Sequence, residues 1–257
     1  MNKLSLISIN VSSGTRTEFI DEITSIAINK KSQYVCVANV HMLIEAYNDS
    51  SFANVVNNAN IITPDGVPLT WALKMFYNVK QDRVAGMDLL PELLRKAQLL
   101  NLPVFFYGGT EEMLDRTKTY LNEHYSGIKI AGTLSPPFRK ATVEEDNRAV
   151  EIINNSGAAF VFVVLGCPKQ ERWMASMKER INAVMIGVGG ALPVLISMQK
   201  RAPFWMQYSG LEWVYRLVQE PRRLFKRYAV TNSKFLFLLI KEVLNKRKHR
   251  ALFKFNQ

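Results

Sequence analysis

Short runs of apolar residues alternate with amphipathic stretches over the first 190 residues of the chain. Several of these runs are continuous, which is typical of strands that are covered on both faces. The stretches between them have the length and the apolar spacing of helices. The pattern predicts strands at residues 5–11, 33–39, 60–62, 103–109, 128–132, 159–166 and 183–189, and helices that include 87–100, 110–124, 143–155 and 168–180.

Strands that alternate with helices predict an α/β fold, with a mostly parallel, Rossmann-like sheet and helices on both of its faces. From about residue 190 the strand signals stop, and basic amphipathic helical patterns follow with a break expected at Pro221. We therefore predict an α/β body over residues 1–195 and a basic helical appendage over residues 196–257.

The net charge of +11 is concentrated in the last quarter of the chain. Residues 200–257 hold 14 Lys and Arg against 3 Asp and Glu, whereas residues 1–199 hold 19 of each. A basic segment of this kind suits anionic partners, such as phosphate groups, acidic lipid headgroups or nucleic acid. A solvated tail without a partner is the alternative.

The composition excludes several classes of protein. With 48% hydrophobic residues, the chain is not mainly disordered. Cys36 and Cys167 are too few for a disulfide framework or a multi-cysteine zinc site, and we expect both to be reduced and buried. We also expect neither a secretory signal nor a membrane span, because no apolar run approaches the roughly 20 residues that a span needs.

The residues that follow each strand are the candidates for chemistry, because ligands of open α/β sheets bind beyond the carboxyl ends of the strands. Asp65 and Gly66 come after the strand at 60–62. Asp65 could cap the next helix, or it could present a carboxylate as a general base or substrate acceptor. A helix N-terminus favours the ionised carboxylate, which predicts a weak base.

Three other strand ends carry polar residues or glycines. Asn39 follows the second predicted strand, and Lys169 to Glu171 lie in the first turn after the strand at 159–166. We expect this turn either to face a ligand or to be ordinarily solvated. The glycines at 187, 189 and 190 would let a bound group approach the backbone closely.

Several familiar ligand motifs are missing from the sequence. The 187–190 glycines do not fit the dinucleotide fingerprint, and neither a P-loop nor a histidine-pair metal motif occurs. There is also no D-x-D pair of the kind that holds a divalent metal over a diphosphate. If the protein handles a nucleotide diphosphate, the C-terminal arginines could replace that metal, because guanidinium groups match phosphate oxygens in bidentate geometry.

Seven motifs occur in a fixed order between about residues 35 and 230: DGVPLTWA (65–72), RVAGMDLL (83–90), FFYGG (105–109), LGCPKQERWM (165–174), IGVGGALPVL (186–195), KRAPFWMQ (200–207) and GLEWVYRLVQEPRRLFKRY (210–228). Each motif alone is weak. Together they resemble the WecG/TagA/CpsF family of bacterial glycosyltransferases, glycosyltransferase family 26.

The resemblance implies an inverting, metal-independent and cofactor-free transfer of a sugar from a UDP donor. The sugar would be a hexose or N-acetylhexosamine, such as N-acetylmannosamine or glucose. The acceptor would be a saccharide on polyprenyl diphosphate, at the cytoplasmic face of the bacterial plasma membrane. Products of such enzymes enter teichoic acid, capsule or exopolysaccharide. A homo-oligomer is compatible with the resemblance.

The resemblance also implies roles for individual residues. Asp65 would be the catalytic base, and the C-terminal appendage would complete the site at the membrane. We expect the substrate to be bound by Asn39, Thr63, Gly66, Arg83, Asp88, Gly108, Gly109, Gly166, Lys169, Gln170, Glu171, Gly187, Gly189 and Gly190, and the diphosphate or lipid by Arg201, Arg216, Arg222, Arg223 and Arg227.

The basic tail supports two interpretations. As a membrane-binding segment it would place an apolar helix face in an anionic leaflet, formed by Phe235, Leu236, Leu238, Leu239, Val243 and Leu244. The alternative for this face is packing on the body of the protein. As a nucleic-acid-binding segment the tail would use Trp205, Trp213 and Tyr215 for stacking, although their helical spacing favours a core role.

Overall fold

The chain opens with an antiparallel hairpin and not with the single strand predicted at residues 5–11. The computed structural model describes the backbone of residues 1–255 and the side chains of residues 1–244. Strands β1 (Asn2–Leu6) and β2 (Ile9–Ser13) pair with Leu6 opposite Ile9. The turn between them places Ile7 at a φ of 58°, a left-handed conformation that the sequence does not signal because Ile7 is not a glycine.

Six further strands form the predicted parallel sheet, in the order β4-β3-β8-β7-β5-β6. Every described neighbour pair in it runs parallel. After β4 at one edge, the chain crosses to the other side of β3, and this reversal creates a crevice at the carboxyl ends of the central strands. The strands are β3 (Gln33–Ala38), β4 (Ile61–Pro64), β5 (Val104–Gly108), β6 (Ile130–Leu134), β7 (Phe160–Val164) and β8 (Val184–Gly187).

Helices cover both faces of this sheet, which confirms the Rossmann-like α/β prediction. Alternate residues of β3 enter two separate apolar clusters: Tyr34 and Cys36 on one face, Val35 and Val37 on the other. Such burial on both faces explains why the strands read as continuous apolar runs. The helices are α1 (Arg16–Ile28), α2 (Val40–Asn48), α3 (Ser50–Asn57), α4 (Val67–Tyr77), α5 (Gly86–Leu99), α6 (Glu111–His124), α7 (Val143–Asn155), α8 (Lys169–Met177) and α9 (Ala191–Leu195).

In the part of the chain that the structure describes, three more helices come after α9: α10 (Phe204–Tyr208), α11 (Glu212–Gln219) and α12 (Pro221–Phe255). The break between the last two falls at Pro221, as predicted, since a proline disfavours helical conformation in the residue before it. Among the described residues, no helix is both long and apolar enough to cross a membrane. A division of the chain at residue 195 stays a prediction.

The apolar side chains of α12 divide between the protein and solvent. Phe235 and Leu238 are buried in the same apolar cluster as α2, and Leu239 packs against that cluster. The prediction that these three residues form a lipid-facing surface is therefore wrong. Leu236 and Leu244 are exposed, together with Phe237 and Ile240. A helix of this kind has apolar residues on more than one side, so periodicity alone could not tell which side packs on the body.

Candidate active site

A cavity of about 630 Å³ lies at the carboxyl ends of the parallel strands. The residues that follow β3, β4, β5, β7 and β8 all contribute to its lining, as expected for the crevice of an open α/β sheet. The C-terminal helices supply the opposite side, with residues from Gly210 to Phe235. Its volume is that of a site for a small molecule or cofactor.

Most of the predicted site residues line this cavity. They are Asn39, Asp65, Gly66, Arg83, Gly109, Gly166, Gln170, Gly187, Gly189, Gly190, Arg216, Arg223 and Arg227. Seven predicted residues do not line it: Thr63, Asp88, Gly108, Lys169, Glu171, Arg201 and Arg222. Their surroundings explain why.

Asp65 stands directly after β4 and does not cap the helix that follows. Its backbone N–H donates to the carbonyl oxygen of Ala38 at 2.8 Å, which ties the turn to the end of β3. The N-cap of α4 is Gly66, and no side chain caps that helix. The Asp65 carboxylate is therefore not used for capping and is available to the cavity.

The protein environment makes Asp65 a stronger base than an ordinary aspartate. Burial raises its pKa to about 6, and the negative charge of Glu212 acts in the same direction. The positive charges of Arg83 and Arg216 and a hydrogen bond from Asn39 oppose this rise. The expectation of a weak base at a helix N-terminus is wrong, because burial raises the pKa of this carboxyl group.

Asn39 connects two strand ends. Its side-chain Oδ1 accepts a hydrogen bond from the N–H of Met42 at 3.2 Å and so caps α2. The same side chain favours the ionised form of the Asp65 carboxylate, which lines the same cavity. Asn39 thus contributes both to the start of α2 and to the environment of Asp65.

A chain of ion pairs joins the C-terminal helices to the body. Arg83 donates to Glu212 at 2.7 Å and to Asp88 at 3.0 Å, and Arg201 donates to Asp88 at 2.5 Å. Asp88 and Arg201 therefore hold the edge of the site and do not line it. Glu212 belongs to the motif at 210–228, but its role could not be predicted from that motif. The feature that could have drawn attention to Glu212 is that the basic segment 200–257 holds only 3 acidic residues.

The first turn of α8 directs its three polar side chains to different places. Gln170 is buried beneath the glycine turns, where it accepts from the N–H of Gly166 at 3.2 Å. A Cβ added at Gly187 would lie 2.8 Å from the Gln170 amide nitrogen, so this glycine makes room for the glutamine. Lys169 is solvent-exposed, and Glu171 is fully buried. Of the three, only Gln170 lines the cavity, Lys169 is solvated, and Glu171 fits neither alternative because it is buried in the protein.

Glu171 is a buried carboxyl group outside the cavity. Its Oε1 accepts from Gln170 at 2.6 Å, whereas Oε2 has no hydrogen-bond partner. Burial raises the pKa of Glu171 to about 7 and raises the pKa values of Cys36 and Cys167. Both cysteines are free thiols. Cys36 is buried as predicted, whereas the prediction is wrong for Cys167, which is only partly buried because it lines the cavity.

Thr63 and Gly108 have structural roles next to the site. The Thr63 hydroxyl donates to the carbonyl oxygen of Val84 at 3.1 Å and is fully buried. Gly108 has a φ of 105°, and a Cβ there would stand 2.6 Å from the carbonyl oxygen of Val164. Only glycine permits this close approach of β5 to β7.

The C-terminal helices place three guanidinium groups on the cavity. Arg216 lies over Gly190, Arg223 pairs with Glu220 at 2.5 Å, and the Arg227 guanidinium lies 5.3 Å from the ring centroid of Tyr228. Arg222 is exposed and points elsewhere. Such a group of arginines is suited to a phosphorylated ligand.

His41 also lines the cavity, and it is not among the predicted site residues. Burial and the nearby Arg227 lower its pKa to about 4, so the imidazole is neutral at neutral pH. Within the described part of the chain, no group of three His, Cys, Asp or Glu side chains is placed to hold a metal ion.

Comparison with known proteins identifies the family. The model of the "Glycosyl transferase WecG/TagA/CpsF family" matches residues 4–249. The chain belongs to this family. It is therefore a glycosyltransferase, and more narrowly a hexosyltransferase, which confirms the resemblance seen in the motifs. Enzymatic activity is thus favoured over nucleic-acid binding, even though Trp205 is 64% exposed and not in the core as its spacing suggested.

Two similar proteins have names that specify a reaction. One, from Bacillus subtilis (strain 168), is 30% identical over 90% of this chain and 88% of its own. The other, from Bacillus spizizenii (strain ATCC 23059 / NRRL B-14472 / W23), is 31% identical over 80% and 79%. Both are named N-acetylglucosaminyldiphosphoundecaprenol N-acetyl-beta-D-mannosaminyltransferase.

Proposed function

We propose that this protein transfers N-acetylmannosamine from a UDP donor to N-acetylglucosamine carried on a polyprenyl diphosphate. The names of the two Bacillus relatives support the sugar and the acceptor. One structural observation carries the chemistry: the Asp65 carboxylate and three arginines of the C-terminal helices line the same cavity. The product would enter a cell-surface polymer such as teichoic acid.

Asp65 acts on the acceptor in this proposal. It takes the proton of an acceptor hydroxyl while that oxygen forms a bond to the anomeric carbon of the donor sugar. A pKa of about 6 leaves Asp65 ionised at neutral pH and gives it more proton affinity than an ordinary aspartate. A group with this pKa is suited to general-base catalysis near neutral pH.

The arginines act on the leaving group. As the bond between the anomeric carbon and the UDP oxygen breaks, negative charge develops on the diphosphate. Arg216, Arg223 and Arg227 supply positive charge on the cavity side that the C-terminal helices form, and preorganised charges of this kind stabilise developing charge in a transition state. We propose that they make the transfer independent of a divalent metal.

A single displacement inverts the anomeric centre. The acceptor oxygen attacks from the face opposite to the departing UDP, so Asp65 and the arginines must lie on different sides of the sugar. Asp65 follows β4, and the arginines come from α11 and α12. In this proposal the sugar lies between these two sides of the cavity, which gives an in-line transfer without a covalent enzyme intermediate.

We further propose that the protein works peripherally at the cytoplasmic face of the plasma membrane, on an anionic leaflet. The exposed side chains Leu236, Phe237, Ile240 and Leu244 of α12 give an apolar surface on a helix rich in Lys and Arg. Apolar contact together with basic residues is the usual combination for binding such a surface.

Incubation of the full chain with a panel of UDP-sugars and a short-chain polyprenyl diphosphate N-acetylglucosamine tests the function. The panel contains UDP-N-acetylmannosamine, UDP-N-acetylglucosamine and UDP-glucose, each with and without EDTA. We expect a disaccharide lipid from UDP-N-acetylmannosamine in the presence of EDTA, detected by mass spectrometry, with inverted anomeric configuration by NMR. If only UDP-glucose supports transfer, the proposed donor sugar is wrong. If transfer is lost in EDTA, the proposed metal independence is wrong.

A further inference from the structure

Glu212 is the acidic residue that the C-terminal helices place at the cavity, and its position beside Arg83 is specific. Its carboxylate accepts a hydrogen bond from Arg83 at 2.7 Å, and the side chains of both residues are less than 20% exposed. Asp88 binds the other end of the same guanidinium at 3.0 Å. Arg83 is therefore held between two carboxylates, one from the appendage and one from the body.

This arrangement matters because Asp65 lies within the electrostatic range of the same groups. All of the groups that act on it line the same cavity: Glu212 and Arg216 from α11, Arg83 from the loop before α5, and Asn39 from the end of β3. Without Glu212, the Arg83 guanidinium would have one carboxylate partner fewer and would be available to Asp65. A direct pair with arginine would stabilise the ionised aspartate and weaken it as a base.

We propose that Glu212 is a positioning residue that holds Arg83 away from Asp65 and so keeps Asp65 able to take a proton. Its own negative charge acts in the same sense, because a like charge disfavours ionisation of its neighbour. Glu212 belongs to α11, whereas Asp65 follows β4. Asp65 is therefore a stronger base than an ordinary aspartate only when α11 lies against the body. The inference rests on the proposed role of Asp65 as the base.

An NMR titration of the side-chain carboxyl carbons in the full chain tests this proposal without any substrate. The Asp65 signal is assigned by its absence in Asp65→Asn. We expect it to titrate near pH 6 in the wild type, and about one unit lower in Glu212→Gln, as expected when a close like charge is removed. Glutamine keeps the size of the side chain but removes the charge that holds the Arg83 guanidinium, and a thermal unfolding midpoint close to that of the wild type confirms the fold.

Two variants make the titration specific. Glu92→Gln removes a carboxylate from another arginine pair, with Arg16, outside the cavity, and should leave the Asp65 titration unchanged. Glu212→Asp restores the charge and should return the Asp65 midpoint toward the wild-type value. An Asp65 midpoint that is the same in Glu212→Gln and the wild type would overturn the proposal.

A kinetic measurement separates this inference from the proposed function. In an active enzyme, the pH profile of kcat/KM has an acid limb that reports the base. In Glu212→Gln this limb should move to lower pH by as much as the Asp65 titration midpoint does. If the wild type transfers no sugar, the proposed function fails, while the titration still decides the role of Glu212. If the enzyme is active and neither the limb nor the titration moves, only the role of Glu212 fails.

Discussion

Arg216 lies directly over Gly190, so that a Cβ added at this glycine would stand 2.8 Å from the Nη2 of the arginine. Gly190 has a φ of −69°, which any residue can adopt. The glycine is therefore required for space and not for backbone conformation. A side chain from the C-terminal helices thus fits against a turn at the end of β8, at the cavity.

Gly190→Ala should lower the rate of sugar transfer by about 10- to 100-fold, because a displacement of about 1 Å in a positioned group can cost that much. The unfolding midpoint should change little, since a flexible arginine can move away at small cost. Steady-state kinetics and thermal unfolding provide both measurements. In an Arg216→Ala background the Gly190→Ala change should have almost no further effect. Independent, additive effects would show that the glycine does not act through Arg216.

The buried Glu171 should make stability depend on pH. Its pKa is raised from the ordinary 4.5 to about 7 in the folded protein, so the folded state holds this proton more tightly than the unfolded chain does. Its contribution is fully favourable below about pH 4.5 and is lost as the pH rises through 7. The free energy of unfolding of Glu171→Gln, relative to that of the wild type, should therefore increase from pH 5 to pH 8, by about 3 kcal/mol at most.

Urea unfolding of both proteins at the two pH values measures this difference. Asp65 is present in both and cancels from the comparison. An equal stability difference at pH 5 and pH 8 would mean that Glu171 is ionised in the folded protein at both values. Such a result would contradict its description as a buried, neutral acid near neutral pH.

The exposed face of α12 should contribute to membrane binding. Phe237 and Ile240 are 66% and 51% exposed, and inserting both into a leaflet would bury apolar area that is worth about 1–2 kcal/mol. The double change Phe237→Ser and Ile240→Ser should weaken binding to phosphatidylglycerol vesicles by about tenfold in co-sedimentation. The matched control is Leu99→Ser, an exposed residue at the end of α5. Equal losses in both proteins would argue against a specific membrane face.

The sequence alone predicted the sheet and the place of the site, because parallel strands align their carboxyl ends at one edge. Asp65, Asn39 and the glycines at 187, 189 and 190 could be located in this way. The N-terminal hairpin was missed because its turn uses a left-handed isoleucine. The local sequence pattern therefore predicts regular strands and helices, but it misses a turn that is built from residues unusual in turns.

Long-range contacts could not be predicted from the sequence. Glu212 lies 129 positions from Arg83, and no periodicity or motif indicates that they pair. The burial of Phe235 and Leu238 against the body was equally hidden, since an apolar helix face has the same spacing whether it packs on protein or on lipid. In the first turn of α8, only the folded backbone determines that Gln170, and not its two neighbours, reaches the cavity.

The rate of sugar transfer by Asp65→Asn tests the account most directly. The substitution keeps the size of the side chain and removes its ability to take a proton. It is measured beside Asp115→Asn, a change at an exposed residue of α6 that does not line the cavity. We predict that Asp65→Asn loses at least about 100-fold in turnover while it still binds UDP, because general-base catalysis typically contributes that much. Turnover within a few-fold of the Asp115→Asn control would contradict the assignment of Asp65 as the base.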